Sequence, residues 1–208
     1  MTTQIYLLTP PQIPNLDTFA SDLDAVCEAV EIASLQIRLK DVGDDEITRV
    51  FAKLAPIARK HGCVVIINDD PQLAKNLSAD GVHLGQNDMT VKAARKLLGP
   101  DMVIGATAHN SRHLAMCAAE DGADYVAFGA FFPTATKKTE FVASVDLLSW
   151  WSSLFEVPCV AIGGIDANNA KPIAQAGADF IAVCSGVWQS AHGPVQAIQQ
   201  LAEVLQQK

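Results

Sequence analysis

Basic residues are scarce in this sequence, and that scarcity excludes several classes of function. The 208 residues include 15 Lys and Arg against 23 Asp and Glu, which gives a formal net charge of −8. A chain with this balance is poorly suited to covering nucleic-acid phosphates or an anionic membrane surface. We therefore expect no nucleic-acid partner and no membrane partner. Basic side chains that converge in one place would then be informative.

Long apolar runs and paired cysteines are also absent. No stretch reaches eighteen consecutive apolar residues, which predicts no membrane span, and the first residues lack the cationic lead of a signal peptide. The five cysteines are scattered, with no C-x-x-C pair: Cys27, Cys63, Cys117, Cys159 and Cys184. We interpret them as small buried hydrophobic residues, rather than disulfide or metal-binding residues, in a reducing cytoplasm.

Short Val- and Ile-rich runs alternate with longer amphipathic segments along the whole chain. They predict strands at 4–9, 34–39, 63–68, 81–84, 102–108, 125–131, 159–164 and 180–185, with intervening helices such as 111–121 and 166–177. Near-continuous apolar strands that alternate with helices indicate a parallel sheet covered on both faces. Eight such units predict a single-domain (β/α)₈ TIM barrel over residues 1–208, and an open doubly wound sheet is the competing fold.

A weak internal repeat supports this unit structure. The segments "SADGVHLG", "DGADYVAFG" and "AGADFIAVCS" each place a small residue and an Asp just before an apolar run. Gly122 and Gly177 suit the left-handed position that ends a helix. The repeat therefore predicts that a strand follows each helix end directly.

The second predicted strand carries a row of polar residues. Gln36, Arg38 and Lys40 alternate with Ile37 and Leu39, so the three polar side chains share one face. In a closed barrel that face is the interior, where two cations are costly unless an anion meets them. An ordinary exposed edge strand with local salt bridges is the alternative. The pattern favours an anion-binding role.

Acidic and amide residues follow the next two strands, at the barrel end where active sites lie. Asn68 and Asp69 follow the third strand, and Asp88 follows the fourth. Neighbouring strands lie about 4.8 Å apart, so Asp69 and Asp88 can reach one ion, and an all-oxygen set suits Mg²⁺. Helix capping is the alternative for Asp88 and for Asp70, each of which precedes a helix, and for Asp70 it is the preferred one.

The remaining strand ends supply hydroxyls, a cation and glycines. Thr107 and His109 alternate inward at the end of the fifth strand, and either a base or a structural role is open for His109. The other candidates are Thr134, Thr136 and Lys137 after the sixth strand, Gly163 and Gly164 after the seventh, and Cys184 and Ser185 after the eighth. The last two loops are a recurrent phosphate site in TIM barrels. Together the strand ends predict a metal-bridged polyphosphate clamp.

Six motifs in this order resemble the thiamine phosphate synthase family over nearly the whole chain. They are Q-x-R-x-K at 36–40, "ND" at 68–69, "DGVHLGQND" at 80–88, G-x-T-x-H at 105–109, "PTATKK" at 133–138 and "AIGGI" at 161–165. The resemblance implies an enzyme that joins hydroxymethylpyrimidine pyrophosphate to a thiazole phosphate, giving thiamine phosphate and pyrophosphate. It also implies that pyrophosphate departs before the thiazole nitrogen attacks.

The resemblance also implies roles for individual residues. Asp69 and Asp88 would carry Mg²⁺, and the pyrimidine pyrophosphate would be held by Gln36, Arg38, Lys40, Asn68 and Lys137. The thiazole phosphate would be surrounded by Thr134, Thr136, Gly164 and Ser185, with Gly163 and Cys184 beside them. We expect Arg38, Thr107 and Lys137 to act in catalysis, and Thr107 also to bind substrate.

Two positions depart from the family pattern. Thr107 stands where the family usually has Ser, and Ala130 stands where it usually has Pro. The related thiazole tautomerases usually have His at the position of Ala130, so a tautomerase is one alternative function. A phosphate-binding barrel without catalytic activity is another, and dependence on metal separates it from a synthase. The sequence leaves the oligomeric state open, a homo-oligomer included.

Overall fold

Eight parallel strands form a closed barrel in the computed structural model, which describes residues 2–134 and 141–206. The strands are β1 (Gln4–Leu8), β2 (Ser34–Ile37), β3 (Val64–Asn68), β4 (Gly81–Leu84), β5 (Val103–His109), β6 (Tyr125–Gly129), β7 (Cys159–Ile162) and β8 (Phe180–Val183). Each strand pairs with the next, and β8 pairs with β1. The predicted TIM barrel is confirmed, and the open sheet is excluded.

Helices cover the outside of this barrel. They are α1 (Leu16–Ala29), α2 (Asp44–Lys60), α3 (Pro71–Asn76), α4 (Val91–Leu98), α5 (Arg112–Glu120), α6 (Val145–Leu154), α7 (Ala170–Gln175), α8 (Ser185–Trp188) and α9 (Pro194–Gln206). Among the residues described, no helix combines the length and the apolar character that crossing a membrane requires.

The predicted element bounds agree with the structure except where side chains build a turn. Every predicted strand lies within two residues of the observed one at each end. The helix predicted over 166–177 begins only at Ala170. The Asp166 amide donates to Asn169 Oδ1 at 2.9 Å, and the Asn168 amide donates to Asp166 Oδ1 at 2.8 Å. These bonds offer the backbone an alternative to the first helical turn, so the helix starts later.

The alternation of strand residues divides the apolar side chains into two layers. The outer layer, between strands and helices, includes Leu7, Leu35, Ile67, Val82 and Ile104. The inner layer fills the barrel with Tyr6, Leu8, Ile66, Tyr125, Ala127, Val160 and Ala182. Gln36 lies between the outer-layer residues Leu35 and Ile37 and is only 3% exposed, so it shares the interior with the second set.

The cysteines are free thiols, in agreement with the interpretation from their spacing. Cys27, Cys63 and Cys159 are buried, whereas Cys117 and Cys184 are partly exposed and so were wrongly expected to be core residues. Burial raises the pKa of the Cys27 thiol to about 11 and the pKa values of the Cys63 and Cys159 thiols to about 12. These three thiols therefore stay protonated and unreactive at neutral pH.

The internal repeat has a structural reason. In each of the three repeated segments the Asp carboxylate accepts a hydrogen bond from the first part of the preceding strand: Asp80 from the Val65 amide at 2.8 Å, Asp124 from the Ile104 amide at 2.7 Å, and Asp179 from the Cys159 amide at 2.8 Å. These bonds satisfy amides at the N-terminal end of the barrel, where a buried unpaired N–H is costly. The repeated Asp is therefore a structural residue.

Replacing Asp179 by alanine is expected to lower the free energy of unfolding by about 1–3 kcal/mol, because the Cys159 amide would lose its partner. Asp179→Asn is the matched variant, since its amide oxygen still accepts from the same N–H. Urea unfolding of the three proteins measures the difference. Equal losses in both variants would show that the charge, and not the hydrogen bond, matters at this position.

Candidate active site

A cavity opens at the C-terminal end of the barrel and gathers most of the predicted site residues. The inner cavity has a volume of about 150 Å³ and is lined by Gln36, Arg38, Lys40, Asn68, Asp69, Thr107, Thr134, Gly163, Gly164, Cys184 and Ser185, among others. It opens into an outer mouth of about 1140 Å³ that Asp88 lines. Thr136 and Lys137 lie outside the described residues.

Arg38 is a partly buried cation at the wall of the inner cavity. Its backbone amide donates to the Thr9 hydroxyl at 2.8 Å, and Thr9 is itself fully buried. The Arg38 Nη1 atom is buried and has no hydrogen-bond partner among the residues that the structure describes. A desolvated guanidinium group without a partner is unfavourable unless an anion binds it. Arg38 is therefore the strongest indication of an anionic ligand.

Lys40 and Asp69 form an ion pair where the two cavities meet. The Lys40 Nζ to Asp69 Oδ2 distance is 2.9 Å, and each side chain is about 41% exposed. Asp69 has a φ of 69°, and its amide donates to the His83 carbonyl oxygen at 2.8 Å. Left-handed backbone is uncommon outside glycine and occurs most often at Asp, Asn and His. Sequence reasoning assigned the two residues to separate groups, but the fold brings them together.

Asp88 lies in a tight loop beside this pair. Its Oδ2 atom accepts from the Gly85 amide at 2.7 Å, and a Cβ atom at Gly85 would lie only 3.0 Å from that oxygen. Burial raises the pKa of the Asp88 carboxyl above its ordinary value, and the nearby Asp69 carboxylate raises it further. Asp88 does not cap α4, since Thr90 does so, whereas Asp70 caps α3 as predicted.

The two carboxylates fit a magnesium ion better than a transition metal. The described residues contain no group of three or more His, Cys, Asp and Glu side chains arranged to hold a metal. Mg²⁺ is commonly bound by one or two carboxylates together with substrate phosphate oxygens and water. The Asp69 carboxylate disfavours ionisation of Asp88, and a divalent cation held by the two residues would relieve that repulsion. Asp69 and Asp88 therefore suit an ion that arrives with a phosphate ligand.

The opposite wall is built from the two glycines after β7. Gly163 and Gly164 have φ values of 106° and 66°. A Cβ atom would lie 2.4 Å from Ala130 Cβ at Gly163 and 2.4 Å from the Pro133 carbonyl oxygen at Gly164. Only glycine tolerates both the backbone angle and the close approach. The turn lets backbone amides come close to a ligand in the cavity.

Helix α8 completes this wall. It begins at Ser185, so its first amides have no partner within the helix. Trp188 Nε1 donates to the Leu8 carbonyl oxygen at 2.7 Å and fixes α8 against β1. The free N–H groups of a helix N-terminus beside a glycine turn can donate hydrogen bonds to phosphate oxygens, as in other TIM barrels.

His109 forms part of the rim between the two cavities. Its φ is 52°, and its ring stacks on Phe141 with centroids 4.3 Å apart. It lines both the inner cavity and the outer mouth. The stacking favours a positioning role for this side chain over that of a general base.

Sequence reasoning missed three polar residues in the barrel interior. Gln36 Nε2 donates to the Tyr6 hydroxyl at 3.1 Å, and the Tyr6 and Tyr125 hydroxyls are 2.8 Å apart. His83 Nδ1 lies 2.9 Å from the Tyr125 hydroxyl, and His83 Nε2 lies 2.9 Å from Thr107 Oγ1. The available signal was strand alternation, since His83 alternates with the outer-layer residues Val82 and Leu84. We call these five residues the interior hydrogen-bond chain.

Gly105 is the residue that makes room for this chain. A Cβ atom at Gly105 would lie 1.9 Å from Tyr125 Cζ and 2.3 Å from the Tyr125 hydroxyl oxygen. Burial raises the pKa values of Tyr6 and Tyr125 well above the ordinary value of 10.0, so both phenols are neutral. The glycine of the G-x-T-x-H motif therefore has a packing reason, which is the Tyr125 ring.

Comparison with known proteins identifies the family of the chain. A sequence profile described as thiamine monophosphate synthase matches residues 5–187. The thiamine-phosphate synthase of Rhodospirillum centenum is 48% identical over 202 residues, which is 97% of each chain. That of Hyphomonas neptunium is 52% identical over 200 residues, covering 94% of this chain and 90% of the relative.

Solved structures give the same result. The thiamine phosphate pyrophosphorylase of Pyrococcus furiosus superposes with a TM-score of 0.85 at 27% identity, covering 97% of this chain and 95% of the other. A geranylgeranylglyceryl phosphate synthase from Thermoplasma acidophilum, at 16% identity and a TM-score of 0.73, shares the fold alone. With a profile match over most of its length and relatives near 50% identity, the chain belongs to the thiamine monophosphate synthase family.

Proposed function

We propose that the inner cavity and outer mouth are the active site at which hydroxymethylpyrimidine pyrophosphate and a thiazole phosphate become thiamine phosphate and pyrophosphate. Residues 1–208 would form one catalytic domain, and the unpaired cysteines favour action in the cytoplasm. The observation that carries the proposal is the buried, unpartnered Nη1 atom of Arg38 in a cavity that the Lys40–Asp69 pair also lines. A charged diphosphate substrate accounts for both.

The two substrates would occupy opposite walls of the cavity. Arg38, Lys40 and Asn68 supply donors to the pyrophosphate, and Gln36 lies deeper, where the pyrimidine ring would bind. Lys137 is proposed to join them from outside the described residues. The thiazole phosphate would lie against Gly163, Gly164, Cys184, Ser185 and Thr134, with Thr136 proposed as a further contact.

Asp69 and Asp88 are the proposed Mg²⁺ ligands. When bound, the ion would neutralise charge that builds on the oxygens of the departing pyrophosphate. The Lys40 ammonium group, paired with Asp69, would offset part of the negative charge of the two carboxylates. The protein thus surrounds one face of the pyrophosphate with two carboxylates and at least two cations.

The proposed reaction is a dissociative substitution. The bond between the pyrimidine methylene carbon and the pyrophosphate oxygen breaks first, and pyrophosphate takes the electron pair. The lone pair of the thiazole nitrogen then forms the new carbon–nitrogen bond. Arg38, Lys137 and the Thr107 hydroxyl would stabilise the leaving group, and no strong base is required. The apolar walls at Leu8, Ile162 and Ala182 would keep water from the carbocation.

The tautomerase alternative lacks support in the site. Ala130 lines both cavities but carries no group that can move a proton. The Asp69 and Asp88 pair would also have no purpose in a reaction without a departing pyrophosphate. A barrel that binds phosphate without catalysis is the other alternative, and the assay below separates it from a synthase.

The proposal is tested by incubating the purified protein with both phosphorylated substrates, with Mg²⁺ and then with EDTA, and measuring thiamine phosphate. We expect product only in the presence of the metal. Product in EDTA would contradict the role given to Asp69 and Asp88. No product, with thiazole phosphate still bound in calorimetry, would identify a binding protein that has lost the reaction.

A further inference from the structure

The interior hydrogen-bond chain connects the two residues that would contact opposite ends of the pyrimidine substrate. Gln36, His83 and Thr107 line the inner cavity, and Tyr6 and Tyr125 join Gln36 to His83 beneath it. Tyr6, Gln36, Tyr125 and His83 are each no more than 9% exposed. Water therefore does not compete for the bonds among these four residues, and their donor and acceptor roles are set by one another.

The direction of the chain follows from its first member. An amide nitrogen can only donate, so the Tyr6 oxygen accepts from Gln36 Nε2. The Tyr6 proton then has the Tyr125 oxygen as its acceptor, and the Tyr125 proton has His83 Nδ1. In the opposite direction the Tyr6 proton would point at an amide donor. Only one direction therefore gives both buried tyrosine protons an acceptor, and the proton left over is that of Thr107, which lines the cavity.

This direction determines the state of His83. Because Nδ1 accepts from Tyr125, the ring is neutral and carries its proton on Nε2. Nε2 then donates to Thr107 Oγ1 at 2.9 Å, and the Thr107 hydroxyl proton is left for the cavity. The Gln86 side chain also donates to the Thr107 carbonyl oxygen, which holds this residue from its other side.

We propose that Tyr6, Tyr125 and His83 are positioning residues that hold His83 as its Nε2–H tautomer and turn the Thr107 hydroxyl proton toward the departing pyrophosphate. The inference rests on the proposed function for the identity of the ligand, although the direction of the chain does not. A preoriented hydroxyl donor costs no reorganisation when charge develops on the leaving group. The same chain fixes the Gln36 amide and leaves its acceptor oxygen for the ring of the substrate.

The first test needs no substrate. Histidines are labelled with ¹⁵N, and His83→Gln identifies the His83 resonances. We expect a neutral ring protonated on Nε2 in the unmodified protein and a mixture of tautomers in Tyr125→Phe, which keeps the ring but loses the donor to Nδ1. Trp151→Phe is the control, because it removes a hydrogen bond of 2.7 Å to the Val157 carbonyl oxygen outside the chain. A His83 ring protonated on Nδ1 in the unmodified protein would overturn the proposal.

The second test uses turnover. Tyr125→Phe is expected to lower kcat about 10-fold, less than the loss of a whole oxyanion donor, with KM for thiazole phosphate unchanged. In a Thr107→Val background the same change should have no further effect on kcat, since the two residues act together. If the two substitutions instead lowered kcat independently, so that the fold-losses multiplied in the double variant, the proposal would be overturned. Tyr6→Phe gives the same comparison if Tyr125→Phe does not fold.

The two tests distinguish this inference from the proposed function. If thiamine phosphate forms but the His83 ring is protonated on Nδ1, only the inference is rejected. If the ring is protonated on Nε2 but no product forms, only the proposed reaction is rejected.

Discussion

An Arg38→Met variant is expected to be more stable than the unmodified protein and nearly inactive. The Arg38 Nη1 atom is buried without a hydrogen-bond partner among the described residues, so the folded protein bears an uncompensated desolvation cost at that atom. Replacing a buried charged group by an apolar one of similar volume can raise stability by about 1–4 kcal/mol. Loss of one donor to developing negative charge lowers turnover by about 10²–10³-fold. Urea unfolding and the coupling assay measure the two effects on one preparation.

A matched control separates this effect from a general change of charge. Arg49 is exposed on α2 and pairs with Glu46 at 2.6 Å, so Arg49→Met should change stability by less than about 0.5 kcal/mol and leave turnover unaltered. Inorganic pyrophosphate should raise the Tm of the unmodified protein and have little effect on the Arg38 variant. A destabilised Arg38→Met protein, or one that still binds pyrophosphate with full affinity, would contradict the role given to this residue.

The second large effect is expected for Asp88→Asn. The substitution removes a carboxylate that we assign to Mg²⁺, and metal-assisted stabilisation of a leaving group is worth several kcal/mol, or about 10²-fold or more in kcat. Binding of thiazole phosphate should be unchanged, because its proposed site lies on the opposite wall. Addition of Mg²⁺ and pyrophosphate should raise the Tm of the unmodified protein more than that of the variant. Equal losses of turnover and thiazole phosphate affinity would indicate a folding defect instead.

The pH dependence of stability gives an independent check on Asp88. Burial and the Asp69 carboxylate raise the pKa of the Asp88 carboxyl in the folded state. The stability that this group contributes is therefore fully present below its ordinary pKa and is lost as the pH rises through the folded value. Asp88→Asn should remove that loss and be slightly more stable at neutral pH. Asp101→Asn, at an exposed position, is the control and should keep the original pH profile.

Strand periodicity was enough to locate most of the candidate site. The order of apolar runs predicted eight β/α units, and the rule that barrel active sites follow the strands then led to Gln36, Arg38, Asp69 and Thr107. These positions are predictable because alternation along a strand depends only on local geometry. The cap at Asp70 was predictable for the same reason, since its hydrogen bond to the Leu73 amide spans three residues.

Contacts between distant strands were not predictable in this way. Tyr6 and Tyr125 are 119 residues apart and meet only because β1 and β6 face each other across a closed barrel. The pairing of Lys40 with Asp69 likewise depends on how the loops after β2 and β3 turn. The repeated Asp residues were visible in the sequence, but their bonds to the preceding strands were not.

The sequence by itself thus determined the fold class, the family and the residues that follow each strand, because these depend on local periodicity and on short motifs. The tertiary structure decided which of those residues interact electrostatically and which are joined by hydrogen bonds. It left the Arg38 Nη1 atom buried without a described partner, placed Asp88 beside Asp69, and joined Gln36 to Thr107 through three interior side chains. Electrostatic and hydrogen-bond partners are set by distance in space, and only closure of the barrel brings those groups within reach of one another.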